Sequence, residues 1–133
     1  VRSRGLGDVY KRQDITFNVK LDEFPLVFNC HCIDCRKKIG GMMTIILLRD
    51  GAIDIDKSKL KIYEHEGGSG NKIKKHFCGK CAAPILTYVE KYKKYYLYAG
   101  LLDDISFLNK AENIHYKESH FPFMEISEKN IKV

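Results

Sequence analysis

Three of the five cysteines in this chain lie within six residues. Cys30, Cys32 and Cys35 form the pattern C-x-C-x-x-C, and Cys78 and Cys81 form a separate C-x-x-C pair. A C-x-x-C turn directs two sulfur atoms toward one point, and thiolates are ligands that suit zinc. Two such spacings in one chain therefore predict metal binding, ahead of buried inert thiols or a redox dithiol.

Five cysteines cannot fill two closed zinc sites, because a closed structural site takes four protein ligands. In one arrangement, Cys30 is left over and the other four cysteines close a single site similar to a zinc ribbon. In the other, Cys30, Cys32 and Cys35 form an open site, as in catalytic zinc centres, and Cys78 and Cys81 lack partners. The spacing leaves both arrangements open, and a redox dithiol at Cys78 and Cys81 is the alternative if no metal binds.

The composition is that of an ordinary globular protein of one domain, with 133 residues, 44% hydrophobic and 30% charged. No apolar run approaches the roughly 20 residues that a membrane-spanning helix needs. The arginine-rich N-terminus also lacks the apolar stretch of a signal peptide. We therefore expect a cytoplasmic protein with no membrane partner, in which closely spaced cysteines are metal ligands or catalytic groups rather than disulfides.

The first 13 residues differ in character from the rest of the chain. Residues 3–13, SRGLGDVYKRQ, are similar to the in-frame translation of a DNA-library transposon adapter. We therefore expect residues 1–13 to be a non-native segment and residues 14–133 to be a single zinc-binding β-domain. The segment has four basic residues and one acidic residue, so it supplies +3 of the net charge of +6. The overall basic charge is therefore a poor argument for nucleic acid, and we do not expect a nucleic-acid partner.

From residue 14 onward, hydrophobic residues mostly recur at every second position, which predicts β-strands. Ile15, Phe17 and Val19 alternate along the first, and residues 43–49 (MTIILLR) predict a buried central strand. Further strands are predicted in residues 59–65, 71–77, 84–92 and 95–100, with a hairpin tip in KYKKYY (91–96) and a short helix in IDCRKKIG (33–40). The sequence therefore predicts a small, mainly β, antiparallel domain with zinc knuckles.

Four segments of the chain resemble, in order and spacing, the glutathione-dependent formaldehyde-activating enzyme family, which includes centromere protein V. They are FNCHCIDCRKKIGG, KKHFCGKCAAPI, AGLLDD and ENIHY. The resemblance implies a β-tent fold and a catalytic zinc held by Cys30, Cys32 and Cys35. It also implies that Cys78 and Cys81 are half of a structural zinc site. In the family, a C-x-C-G motif before the first strand supplies the other half, and here the adapter-like segment stands in its place. The resemblance thus predicts an N-terminally truncated chain with two zinc sites, one of them incomplete.

The resemblance further implies a carbon-sulfur lyase that forms S-(hydroxymethyl)glutathione from formaldehyde and glutathione. His31 lies between two predicted ligands and can hydrogen bond a sulfur or the substrate, or it is simply a solvated residue at a strand end. Arg36, Lys37 and Lys38 can meet the carboxylates of glutathione, although charged runs are more often exposed faces, and of the three Arg36 is the predicted contact. The competing function is a non-enzymatic, zinc-stabilised β-module that binds a protein or nucleic-acid partner.

Overall fold

The computed structural model describes residues 15–67 and 70–132, and it is mainly β, as predicted. The strands are β1 (Phe17–Val19), β2 (Val27–Cys30), β3 (Met43–Leu47), β4 (Ile53–Ile55), β5 (Leu60–Glu66), β6 (Lys72–Cys78), β7 (Pro84–Val89), β8 (Lys94–Tyr98) and β9 (Glu112–Ile114). The helices are α1 (Ile33–Ile39) and α2 (Tyr116–Ser119). The adapter-like segment, residues 1–13, lies outside the described residues. No helix in the described part of the chain is long and apolar enough to cross a membrane.

Seven strands form one large sheet in the order β5-β6-β7-β8-β3-β2-β9, and β1 pairs with β4 in a second, smaller sheet. The predicted central strand is confirmed, since β3 pairs with β2 on one side and β8 on the other. The pairing is antiparallel except between β2 and β9, where Cys30 lies beside Ile114 in a parallel register. That pair is non-local, and no sequence pattern predicted it.

The hairpin tip predicted in KYKKYY is confirmed between β7 and β8. The backbone N–H of Lys93 donates a hydrogen bond of 3.2 Å to the carbonyl oxygen of Glu90. Lys93 has a φ of 52°, in the left-handed region that tight turns use. The three lysines and three tyrosines of KYKKYY therefore have a structural explanation that requires no nucleic acid.

The hydrophobic core covers one face of the large sheet. Phe17 and Val19 of β1 are buried, while Asn18 between them is exposed, so the predicted alternation is confirmed. They belong to a cluster of buried residues that includes Ile46 of β3 and Leu97 of β8, which are directly paired in the sheet. Because successive side chains of a strand point to opposite faces, the neighbours of these residues in sequence face away from the core.

The predicted short helix is confirmed as α1, which begins directly after β2. It ends at Gly40, whose φ of 78° is in the left-handed region and whose N–H donates a hydrogen bond of 2.9 Å to the carbonyl oxygen of Arg36. A second helix caps its start, because a carboxylate oxygen of Glu118 in α2 accepts a hydrogen bond of 2.8 Å from the backbone N–H of Ile33. Both ends of α1 are thus capped by hydrogen bonds.

Candidate functional site

The three clustered cysteines lie where β2 ends and α1 begins. Cys30 is the last residue of β2, Cys32 is the N-cap of α1, and Cys35 lies in the first turn of the helix. The backbone N–H of Cys35 donates a hydrogen bond of 3.2 Å to Sγ of Cys32. The Sγ atoms of Cys35 and Cys30 are 3.5 Å apart, and all three Sγ atoms lie within 4.8 Å of one another. We call this group the thiol cluster.

Three thiols this close cannot all ionise in the absence of a cation, because neighbouring thiolates repel one another. The hydrogen bond that the Cys35 thiol donates lowers the pKa of Cys30 to about 6, although burial acts in the opposite direction. The same bond raises the pKa of Cys35, and burial raises the pKa of Cys32. Without a cation, the cluster therefore holds one thiolate near neutral pH, and that thiolate is on Cys30.

The thiol cluster fits a tetrahedral zinc ion. Sulfur atoms at about 2.3 Å from such an ion are separated by roughly 3.8 Å, and the Cys30 and Cys35 sulfurs already lie 3.5 Å apart. In the described part of the chain, no other set of three or more His, Cys, Asp or Glu side chains converges in this way. The cluster thus offers three ligands rather than four, which corresponds to the open arrangement.

Cys78 and Cys81 do not join the thiol cluster, because Cys78 lies on the opposite face of the large sheet. Directly paired residues of antiparallel strands share a face. Cys78 pairs with Leu60, which packs against the hydrophobic core, so Cys78 lies on the core face of the sheet. Cys30 pairs with Met43, and both lie on the other face. All five cysteines are free, and Cys81 is exposed. The zinc-ribbon arrangement of the sequence analysis is therefore absent from this structure.

A cavity of about 390 Å³ lies beside the thiol cluster, with Cys30 and Cys35 in its wall. Most of the wall is the face of the large sheet opposite the core, and it is largely apolar. Its apolar lining includes Phe28, Met43, Ile45, Ile73, Val89 and Ile114. We call it the thiol cavity. A separate cavity of about 510 Å³ beside β9 and α2 has no cysteine in its wall, so it lacks a group for thiol chemistry.

His31 and Arg36, the two predicted substrate contacts, are not in the wall of the thiol cavity. His31 is only 2% exposed, which excludes a solvated side chain, and its Nε2 lies 2.9 Å from the side-chain oxygen of Asn113. The Nε atom of Arg36 is buried and has no hydrogen-bond partner among the described residues. Substrate contact by His31 and Arg36 stays a prediction.

Sequence reasoning named Lys38 among possible contacts of glutathione carboxylates, but it missed three other polar residues of the thiol cavity. Lys38 lies on α1, His65 on β5, Lys75 on β6 and Tyr96 on β8, and all four are in the cavity wall. Side chains alternate between the two faces of a strand, so the sequence shows that Lys75 shares a face with Ile73. It does not show that this face lies beside the thiol cluster. Only the strand order of the sheet joins these residues into one site.

Comparisons with known proteins agree with these observations. A model of the family described as glutathione-dependent formaldehyde-activating enzyme matches residues 13–118, which is most of the chain. A crystal structure of a Rhodobacter sphaeroides protein is similar in fold, with a TM-score of 0.54 and 18% identity. The similarity covers 74% of this chain and 91% of that one. A search of curated proteins finds no match.

Proposed function

This chain belongs to the glutathione-dependent formaldehyde-activating enzyme family, and from that premise we propose that it is a zinc-dependent carbon-sulfur lyase. In the proposed reaction it joins formaldehyde and glutathione to form S-(hydroxymethyl)glutathione, and in reverse it separates them. One observation supports this best: Cys30 and Cys35, two members of the thiol cluster, lie in the wall of a cavity. A cavity of about 390 Å³ is within the usual size range of small-molecule sites.

Cys30, Cys32 and Cys35 would hold the zinc ion. Three protein thiolates leave one coordination position, at which zinc would favour the ionised form of an incoming thiol near neutral pH. Cys78 and Cys81 are proposed to be half of a structural site. Cys78 lies on the core face of the sheet, and neither Cys78 nor Cys81 is in the wall of the thiol cavity.

The proposed reaction forms one sulfur-carbon bond and converts the carbonyl double bond of formaldehyde into a C–O single bond. The proton of the thiol ends on the carbonyl oxygen. Tyr96 lines the cavity, and burial raises its pKa, so its hydroxyl stays protonated and can donate a hydrogen bond to that oxygen. The apolar wall limits water and brings the reactants together, so proximity supplies much of the rate gain.

The absorption spectrum of the cobalt-substituted protein tests this function, because thiolate ligands give cobalt intense and sensitive bands. We expect glutathione to change the spectrum in a saturable way, which requires an exchangeable fourth ligand. Replacing Cys35 with serine should abolish the change. Replacing Cys81 with serine should preserve it, since Cys81 is exposed and outside the cluster.

A thiolate spectrum that glutathione leaves unaltered would contradict the proposed function. It would instead favour the zinc-stabilised binding module. Enzyme activity is checked separately by NMR exchange between 13C-formaldehyde and its glutathione adduct, because this adduct also forms without an enzyme. The wild-type protein should accelerate the exchange, and the Cys35→Ser variant should not.

A further inference from the structure

Two lysines and a histidine from three different elements line the thiol cavity. They are Lys38 of α1, His65 of β5 and Lys75 of β6. His65 pairs with Ile73, two residues from Lys75 in the same strand, so His65 and Lys75 share one face of the sheet. Lys38 follows Cys35 by three positions in α1, so these two side chains lie on the same side of the helix. The three nitrogen-bearing groups therefore lie near the thiol cluster.

The contact between Lys38 and His65 leaves a hydrogen-bond donor without an acceptor. Nζ of Lys38 is 2.7 Å from Nδ1 of His65. Because an ammonium group only donates, Nδ1 must accept, and the proton of the neutral ring is then on Nε2. Nδ1 also lies 3.1 Å from the carbonyl oxygen of Glu66, a longer contact that needs the other tautomer. Nε2 is buried and has no partner among the described residues.

Lys75 adds a positive charge that lacks a close counterion. It is half-buried, and burial together with the ammonium of Lys38 lowers the pKa of Lys75. No carboxylate of the described residues lies within ion-pair distance of Lys75. Asp34 is the one acidic residue in the described wall of the cavity. Its Oδ2 lies 3.6 Å from Nζ of Lys38. Asp34 and the sulfurs of Cys35 and Cys32 act against this lowering of the Lys75 pKa but do not cancel it. The two ammonium groups and the buried N–H of His65 can therefore accept a further anion.

We propose that Lys38, His65 and Lys75 form a carboxylate-binding site, in which the carboxylate of the thiol substrate is held while its sulfur reaches the thiol cluster. This inference rests on the proposed function and assigns residues of this chain to one of the two carboxylates of glutathione. A carboxylate accepts several hydrogen bonds at once, so it can satisfy both ammonium groups and Nε2 of His65. The apolar remainder of the wall contacts the carbon chain of the substrate.

A matched pair of thiols tests the site: 3-mercaptopropionate and its neutral amide, titrated separately into the cobalt-loaded protein. We expect both to change the cobalt spectrum and the carboxylate to bind about tenfold more tightly, as a charge-assisted hydrogen bond predicts. The Lys75→Met variant should lose this preference while keeping its affinity for the amide. The Lys72→Met variant is the control, because Lys72 lies on the same strand but is exposed and outside the cavity wall.

The possible failures can be distinguished. If both thiols bind with equal affinity, the carboxylate site is refuted and the proposed function stands. If neither these two thiols nor glutathione changes the spectrum, the proposed function fails. The site itself is then tested in metal-free protein with 3-(methylthio)propionate, whose sulfur cannot ionise. This carboxylate should shift the ring 15N signals of His65 in the wild type but not in the Lys75→Met variant, and an unshifted signal in the wild type would overturn the proposal.

Discussion

The imidazole of His31 and the side-chain amide of Asn113 form a buried hydrogen bond of 2.9 Å between residues 82 positions apart. Oδ1 of Asn113 also accepts a hydrogen bond of 3.1 Å from Nδ2 of Asn29, so Nε2 of His31 must be the donor to this oxygen. The NH2 group of Asn113 donates to the carbonyl oxygen of Asn130 at 3.0 Å. One side chain thus ties the segment between two cysteines of the thiol cluster to β9 and to the C-terminal region.

Replacing Asn113 with alanine should destabilise the protein by about 3 kcal/mol, because it leaves the buried N–H of His31 and the half-buried amide of Asn29 without an acceptor. The affinity of the thiol cluster for cobalt should also fall, since His31 lies between two of its cysteines. Urea unfolding and a cobalt titration measure the two effects. Asn109→Ala is the control, because Asn109 is exposed. Equal stability of the two variants would show that the buried network contributes nothing.

Ala82 follows the second cysteine pair and has a φ of 64°, in the region where glycine has no steric penalty. We expect Ala82→Gly to stabilise the protein by about 1 kcal/mol by removing this strain. The matched control is Ala83→Gly, at a residue without a positive φ, and it should destabilise the protein instead. Urea unfolding measures both changes. A loss of stability in both variants would contradict the interpretation of Ala82 as strained.

Gly40 ends α1, the helix that carries Cys35, with a φ of 78°. A Cβ atom at Gly40 would meet nothing within 4 Å, so the cost of Gly40→Ala is purely conformational and should be about 1 kcal/mol. At the adjacent Gly41, whose φ is not positive, a Cβ atom would make only an ordinary contact of 3.9 Å with Phe121. The Gly41→Ala variant should therefore be close to the wild type in stability, and a larger loss there than at Gly40 would refute this account.

When zinc binds to the metal-free protein, the number of protons released should depend on pH. Because the pKa of Cys30 is about 6, this thiol is already ionised at pH 7.5, and zinc then displaces protons from Cys32 and Cys35 only. Below pH 6 Cys30 is protonated as well, so the number of released protons rises as the pH falls. Calorimetry in buffers of different ionisation enthalpy measures this number.

The Cys81→Ser variant is the appropriate background for this calorimetric experiment. It disrupts the second cysteine pair, which could otherwise bind zinc and release protons of its own. A proton count that is the same at pH 7.5 and pH 5 would contradict the assignment of the thiolate to Cys30.

Local features of the fold followed from the sequence because they depend on neighbouring residues. The spacing of Cys30, Cys32 and Cys35 brings three sulfurs together over a strand end and one helical turn, which are short-range structures. The alternation of Phe17 and Val19 likewise predicts a strand with one buried face, since a period of two is a property of the strand itself.

The sequence by itself therefore determined the mainly β class, the cysteine spacing that could hold a metal ion and the family to which the chain belongs. Only the tertiary structure decided which cysteines lie together, because strand order and register place Cys30 and Cys78 on opposite faces of one sheet. The same pairing brings Lys75 to the cavity beside Cys30, from a strand 45 residues further along the chain. A period of two defines two faces for each strand, but which faces meet depends on hydrogen bonds between distant segments.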